Sequence, residues 1–337
     1  MKKSITKKIV AAVVGTMLFG ALAATTAMAD GQKVIKISYG LVKESGEGTG
    51  AAKFEELIEE KLGDKFDVQC YSDAQLGDDL KSTQAVAMGE LECVITSCSP
   101  LTGMCSELLV FDLPFLFPNF DAADAVLEGD VCSGIAEKLE GNGLHVLGWM
   151  ENGYRCLTNS KKDVHVPEDV AGLKIRTMEN EMHLALWKEL GAVPTPMAFS
   201  EVFTALEQGA IDGQENPIST IYLNKFYEPN EFVTVTNHIY SPKLFLISAQ
   251  LYNSLTDEEK AIFDEAGLEA SKVARETTRQ QCTDYITNIR DEGATVTELT
   301  DEEHQAWVDA TAAVKDQYMD TIGADLVKAV EDVCAQY

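Results

Sequence analysis

Two periods of hydrophobic and polar positions alternate along this chain. Residues 34–39 (VIKISY) and 66–70 (FDVQC) switch between apolar and polar at every step, as half-buried strands do. Between them Ala51–Leu62 is apolar at helical spacing, behind a glycine-rich stretch at 46–50. A second helix is expected over Asp79–Met88, with short apolar strands at Cys93–Ile95 and Val146–Trp149. After a break near Glu151-Asn152-Gly153 the alternation resumes, with strand Leu173–Arg176, helix Met182–Leu190 ended by Gly191, and a rigid loop at Pro194-Thr195-Pro196. Ser200 is placed to N-cap a helix over Glu201–Gln208 closed by Gly209, and a further strand-like segment begins at Ala210–Gly213. Thr256 and Glu259 have capping-box spacing and open a helical pattern that runs to about Asp291. At 1.5 Å per residue it would extend roughly 50 Å, longer than one lobe, so it is expected to brace two. Strands alternating with helices imply an α/β sheet with crossover connections. There is no internal repeat and no low-complexity linker.

The N-terminus changes the picture by setting the compartment. Lys2, Lys3, Lys7 and Lys8 precede a mostly apolar run from Ile9 to Ala23, and Ala27-Met28-Ala29 supplies the small-x-small cleavage pattern. Residues 1–29 are therefore expected to be a secretory signal peptide, leaving Asp30 as the new N-terminus of an exported, soluble protein. Loss of those lysines moves the formal net charge from −28 to −32. So acidic a surface repels nucleic acid and anionic lipid, and any anion site must be a local concentration of donors that overrides the field. Cys70, Cys93, Cys98, Cys105, Cys132, Cys156, Cys282 and Cys334 form no CxxC pair and sit at no metal-ligand spacing from a histidine. Buried free thiols are expected, and neither a metal nor a cofactor.

Candidate chemistry centres on arginine, of which there are few. Arg275, Arg279 and Arg290 fall on the long acidic helix, where Arg275 and Arg279 with nearby Glu and Asp residues read as a solvated face. Arg155 and Arg176 instead lie in apolar sequence, Arg176 closing its strand. A guanidinium presents a planar fork that pairs a carboxylate through two parallel hydrogen bonds, and strand ends facing a crevice are where open α/β sheets bind ligands. A structural salt bridge is the alternative for both. The chain has no GxSxG elbow, no HExxH and no phosphate-cradling glycine loop, so it is not expected to be an enzyme. His183, beside Met182 and Leu184, reads as part of a packed helix face.

Three longer blocks carry a resemblance. GLKIRTM at 172–178, LGAVPTPMAFSEV at 190–202 and ALEQGAIDGQENP at 205–217 resemble the extracytoplasmic binding subunits of TRAP transporters, the DctP family. QLGDD at 75–79, GYRCLTN at 153–159 and FYE at 226–228 are similar as well, and the likeness spans essentially the whole mature chain. The resemblance implies a two-lobed, periplasmic-binding-protein-like α/β fold with a ligand cleft between lobes and a long helix spanning both. The expected division is 30–152 plus 242–281 for one lobe and 153–241 plus 282–337 for the other. It implies a periplasmic or other extracytoplasmic receptor that passes a small organic acid to the small and large membrane subunits. By the same resemblance Arg176 salt-bridges the ligand carboxylate, Arg155 is a second ligand-contacting arginine, Asn216 hydrogen-bonds the same end, and Phe199 packs over the ligand.

The distal end is less determined. Positions matching Val42 and Ser97 carry sugar-contacting amide and carboxylate groups in the sialic-acid branch, whereas here they are valine and serine. Asp79 matches an acid used in that branch, and reads equally as a helix N-terminal acid stabilised by the macrodipole. A C4-dicarboxylate, keto acid or sugar acid therefore fits better than sialic acid, with Lys43 or Glu44 as candidates for its far end. A binding protein of an ATP-driven importer, a carboxylate chemoreceptor and an exported enzyme are the competing readings.

Overall fold

The computed structural model describes residues 32–337, so the expected signal peptide lies outside the described residues. Its strands are β1 (Lys33–Tyr39), β2 (Phe66–Tyr71), β3 (Cys93–Ser97), β4 (Leu144–Asn159), β5 (Lys174–Thr177), β6 (Val193–Pro196), β7 (Gly213–Pro217), β8 (Phe232–Val235), β9 (Tyr240–Ser248) and β10 (Thr295–Glu298). They form a continuous sheet in the order β2-β1-β3-β9-β4-β7-β5-β6, with β8 also on β4 and β10 beyond it. Parallel pairs β1/β2, β1/β3, β5/β6 and β5/β7 flank an antiparallel centre, in which β9 pairs with both β3 and β4.

Strand β4 joins the halves. Its first part, Leu144–Tyr154, is laddered to β9, while Arg155–Asn159 pair with β7 and Leu157–Asn159 with β8. The break expected at Glu151-Asn152-Gly153 is thus a bulge within one unbroken strand, where the register against β9 shifts between Glu151 and Gly153. Gly153 has φ 109°, a conformation that an L side chain rarely adopts, which explains the punctuation seen in the sequence.

Helices cover both faces: α1 (Gly46–Leu62), α2 (Asp79–Ala87), α3 (Phe120–Leu127), α4 (Asp130–Glu140), α5 (Glu181–Glu189), α6 (Val202–Glu207), α7 (Ile218–Leu223), α8 (Ala249–Ser254), α9 (Asp257–Asp291), α10 (Asp301–Ile322) and α11 (Ala324–Cys334). The glycine-rich stretch joins α1 because Ser45 caps it, accepting from Gly48 N–H, and because the helix packs too closely on α9 to admit side chains there. Two further expectations fail for physical reasons. Pro194-Thr195-Pro196 belongs to β6 rather than a loop, tolerable because β6 is an edge strand and needs few donors. Ser200 makes no cap, lying inside a 3-10 turn (Phe199–Glu201) that precedes α6.

Helix α9 is the brace. Its 35 residues run from a Thr256/Glu259 capping box and pack against α1 and β4 on one half and α7 and β10 on the other. The buried face, including Ala266, Gly267, Ala270, Ser271 and Ala274, is small, which lets the helix lie close on β4. Arg275 and Arg279 do not form a solvated face. Arg275 donates to Trp149 O (3.0 Å) and to Glu128 (2.5 Å), and Arg279 bridges Glu151 (2.9 Å) and Asp124 (2.7 Å). Tyr240 O–H completes the cluster on buried Glu151 at 2.8 Å. On the opposite side α10 packs on α5 and α11 on α3 and α4. All eight cysteines are free thiols, six of them buried.

A Cβ at Gly267 would lie 2.5 Å from Leu147 O and 2.7 Å from Leu147 Cβ, so helix and strand would have to separate. Gly267→Ala should cost about 1–3 kcal/mol by overpacking, outweighing a helix-propensity gain of about 1 kcal/mol. In thermal denaturation its midpoint should fall, whereas that of Gly134→Ala, on an exposed helix face with no atom within 4 Å, should not.

Candidate functional site

Loops leaving the strand ends of both half-sheets enclose a cleft with an empty volume of about 620 Å³. One wall carries Leu41 after β1, Asp79 at the start of α2, Ser97 at the end of β3, and Lys243 on β9. The other carries Arg176 and Met178 from β5 and its loop, Phe199, and Asn216 on β7; Asn152, at the β4 bulge, lies between.

Arg176 is 2% exposed. The Met197 carbonyl accepts from its Nε (3.1 Å) and Nη2 (2.7 Å), which locks one edge of the guanidinium. Its Nη1 is buried and has no hydrogen-bond partner among the described residues. Burial pulls its pKa down to about 10, so it remains charged at neutral pH. The arrangement is a desolvated cation with an unused donor on a cleft wall. Asn216 lies beside it, its Nδ2 donating to Gln214 Oε1 at 2.6 Å. Phe199 is half-buried, edge-on to Phe226 at 5.7 Å between ring centres.

On the facing wall Asp79 Oδ2 accepts from Ser97 N–H at 3.1 Å, so the residue is both a helix N-terminal acid and a cleft-lining one. Lys243 Nζ donates to Ser97 Oγ at 3.3 Å and pairs with the Glu47 carboxylate, whose Oε2 accepts from Leu41 N–H at 2.9 Å. Burial alone would pull the Lys243 ammonium down, but Glu47 and Asp79 turn the net shift upward, keeping it protonated. Burial raises Glu47 in turn, against the pull of Lys243.

Arg155 is placed differently. It is wholly buried and lies behind Asn216 rather than on the cleft wall. Glu215 takes most of its donors: an ion pair at Nε, and hydrogen bonds from Nη2 to Oε1 (2.8 Å) and to the Glu215 carbonyl (2.5 Å). Nη2 also reaches Asn216 Oδ1 at 3.3 Å. His183, predicted as part of a packed face, stands next to this pair with Nε2 3.0 Å from Asp112 and Nδ1 3.6 Å from Glu215, while His238 Nε2 is 3.2 Å from Glu215. Burial would raise the Glu215 pKa, but Arg155 and the two histidines hold it well below the ordinary range. Burial likewise pulls His183 down, yet Asp112 and Glu215 push it up to about 8; His238 is left lowered by its burial.

Arg176, Asn216, Phe199, Asp79 and Ser97 are therefore gathered around one cleft, and Arg155 supports it from behind. Lys43 and Glu44 are exposed and are not among its lining residues, whereas Lys243, paired with Glu47, is. A signal for Lys243 existed: a lone lysine heads the apolar run LFLI at 244–247, and a lysine buried there requires a partner. Its partner lies 196 positions earlier, and nothing local in the sequence links the two.

The family model for bacterial extracellular solute-binding proteins, family 7 (DctP), matches residues 37–321. The 2,3-diketo-L-gulonate-binding periplasmic protein of Escherichia coli is 32% identical over 320 residues, 94% of this chain and 97% of that one. Among solved structures, the sugar acid binding protein of Advenella mimigardefordensis in complex with galactonate aligns with a TM-score of 0.88 at 34% identity, covering 91% of this chain and 99% of that one. A TRAP periplasmic solute binding protein from Shewanella oneidensis with bound succinate aligns at 0.87 and 30% identity, covering 90% and 99%.

Of the two buried histidines, His183 gives the fold a pH signature above neutrality. A raised folded-state pKa contributes stability that is complete below the unfolded value of 6.5 and is lost as pH rises through about 8. That is about 2 kcal/mol at most. Unfolding free energies of the wild type should fall between these pH values, and His183→Gln, though less stable, should show a flatter profile across them.

Proposed function

The chain belongs to the bacterial extracellular solute-binding proteins of family 7, the DctP family, and on that premise we propose that it captures a small organic acid and delivers it to the small and large membrane subunits of a TRAP transporter. A C4-dicarboxylate, keto acid or sugar acid is the ligand class. The observation that carries this reading is Arg176, buried on the cleft wall with Nη1 lacking a partner among the described residues. A planar donor fork with one edge fixed by Met197 O is preorganised for a carboxylate, and supplying that anion removes the cost of the unpaired buried charge. Asn216 serves the same end of the ligand and Phe199 covers it. Arg155 enters through its buried Nη1, the donor left over by Glu215. Bound succinate and galactonate in the two aligned structures support the ligand class.

The mechanism is closure. In this reading one lobe comprises 30–152 plus 242–281 and the other 153–241 plus 282–337, and β4 and α9 run through both. A ligand held by Arg176 on one wall and by Asp79, Ser97 and Lys243 on the other binds the closed form better than the open one and shifts the population towards it. Closure also excludes water, which strengthens charge-assisted hydrogen bonds. The role is that of a receptor and not an enzyme: the ligand leaves as it arrived. Export by cleavage after Ala29 belongs to the same reading.

Purified protein screened by thermal shift against dicarboxylates, keto acids, aldonates and uronates should be stabilised by one class, by about 4 kcal/mol at a thousandfold excess over Kd. Arg176→Ala should melt normally without ligand and bind at least about 30-fold more weakly. Arg176→Lys should recover little of that, since an ammonium lacks the fork. Near-normal affinity in a folded Arg176→Ala variant would overturn the clamp, and conversion of the bound acid into a product would overturn the receptor role.

A further inference from the structure

The cleft wall opposite Arg176 has a charge arrangement that discriminates within the class of acids proposed above, and the inference rests on Arg176 as the carboxylate clamp. Two cations line the cleft, Arg176 and Lys243. Arg176 has no carboxylate paired to it among the described residues. The Lys243 ammonium is already neutralised by Glu47, a partner that is 2% exposed and held from behind by Leu41 N–H. Asp79 adds a carboxylate to the same wall, one oxygen engaged by Ser97 N–H and the other accepting no hydrogen bond among the described residues. Asp78 and Glu179 face the cleft too; Lys81 pairs with Asp78 at 2.7 Å, and Glu179 adds a further negative charge.

We infer that Asp79, Ser97 and the Lys243–Glu47 pair form a hydroxyl-reading subsite, so that this receptor selects a monoanionic polyhydroxy acid of the aldonate kind over a dicarboxylate. One unpaired cation matches one carboxylate. A second ligand carboxylate would approach Asp79 with no free cation to offset the repulsion, and an ionised carboxylate cannot donate a hydrogen bond to Asp79. A hydroxyl can do both things this wall asks for. Its O–H donates to Asp79, and its oxygen accepts from Lys243 or from Ser97 O–H. Glu47 thereby acts as the specificity determinant without touching the ligand: it turns Lys243 from a carboxylate partner into a neutral pair with hydrogen-bonding capacity left over.

Titration calorimetry of the purified chain with galactonate, erythronate and succinate tests this. At least one aldonate should bind more tightly than succinate by roughly 10- to 100-fold, the scale of one hydrogen bond to a charged group. Asp79→Asn, which keeps an acceptor for Ser97 N–H, should weaken the aldonate about tenfold while succinate gains. Glu47→Gln, which frees the Lys243 charge, should raise succinate affinity by about tenfold or more. Succinate binding as tightly as both aldonates would overturn the inference while leaving the clamp intact. So would an unchanged aldonate-to-succinate ratio in both variants, with melting curves showing them folded. If none of the three acids binds, or if Arg176→Ala leaves their binding unaltered, the clamp fails first and the subsite falls with it.

Discussion

A guanidinium taken out of water with one nitrogen unsatisfied is the constraint around which this molecule is organised. Desolvating a charge costs several kcal/mol unless a partner offsets it, and the described residues supply Arg176 with one carbonyl and no carboxylate. Such a state persists only if the surrounding structure over-determines it. Strand β5 lies between β6 and β7, the Met197 loop holds one edge of the fork, and the hydrophobic cluster around Ile175, Met182, Leu186 and Trp187 packs beneath. The stability of that core offsets the cost of holding the guanidinium there.

The contrast between the two buried arginines shows how the fold assigns roles to identical side chains. Arg155 and Arg176 both lie close to β7, and Glu215 lies between their environments. Glu215 pairs with Arg155 and hydrogen-bonds His238, with His183 nearby, so that the first arginine becomes part of a closed structural network. Arg176 receives only a distant electrostatic share of Glu215. Arg155 has a carboxylate and Arg176 has none because Arg155 lies opposite Pro217, on the same sheet face as Glu215, whereas Arg176 lies opposite Gln214, on the other face.

The net charge of −28 over the whole chain makes an anion receptor look improbable until the distances are considered. Surface carboxylates act through water and salt, which screen them beyond about 10 Å. Arg176 lies in a cleft lined also by Lys243, which Glu47 pairs, and by the carboxylates of Asp78, Asp79 and Glu179, where the effective dielectric is low. The sign of the surface as a whole therefore does not decide what the cleft can hold. Glu47 neutralises Lys243, the other cation of the lining.

Much of this was legible in the sequence, for physical reasons that differ by element. The alternation in VIKISY, the Thr256/Glu259 capping box and the turn glycines at 191 and 209 are encoded within a few residues and reappear as β1, α9 and two positive-φ helix ends. Arg176 stood out because an arginine in apolar sequence has to meet something polar. What tertiary structure alone decided depends on residues far apart in the chain. Arg275 and Arg279 looked solvated because their acids, Asp124, Glu128 and Glu151, lie more than a hundred positions away. Lys243 finds Glu47 only when β9 inserts beside β3, and Arg155 finds Glu215 only when β4 pairs with β7. Local sequence determines backbone conformation because the competing energies are local. The state of a buried charge is determined by whichever group the sheet topology brings within a few ångströms of it, and that requires the fold.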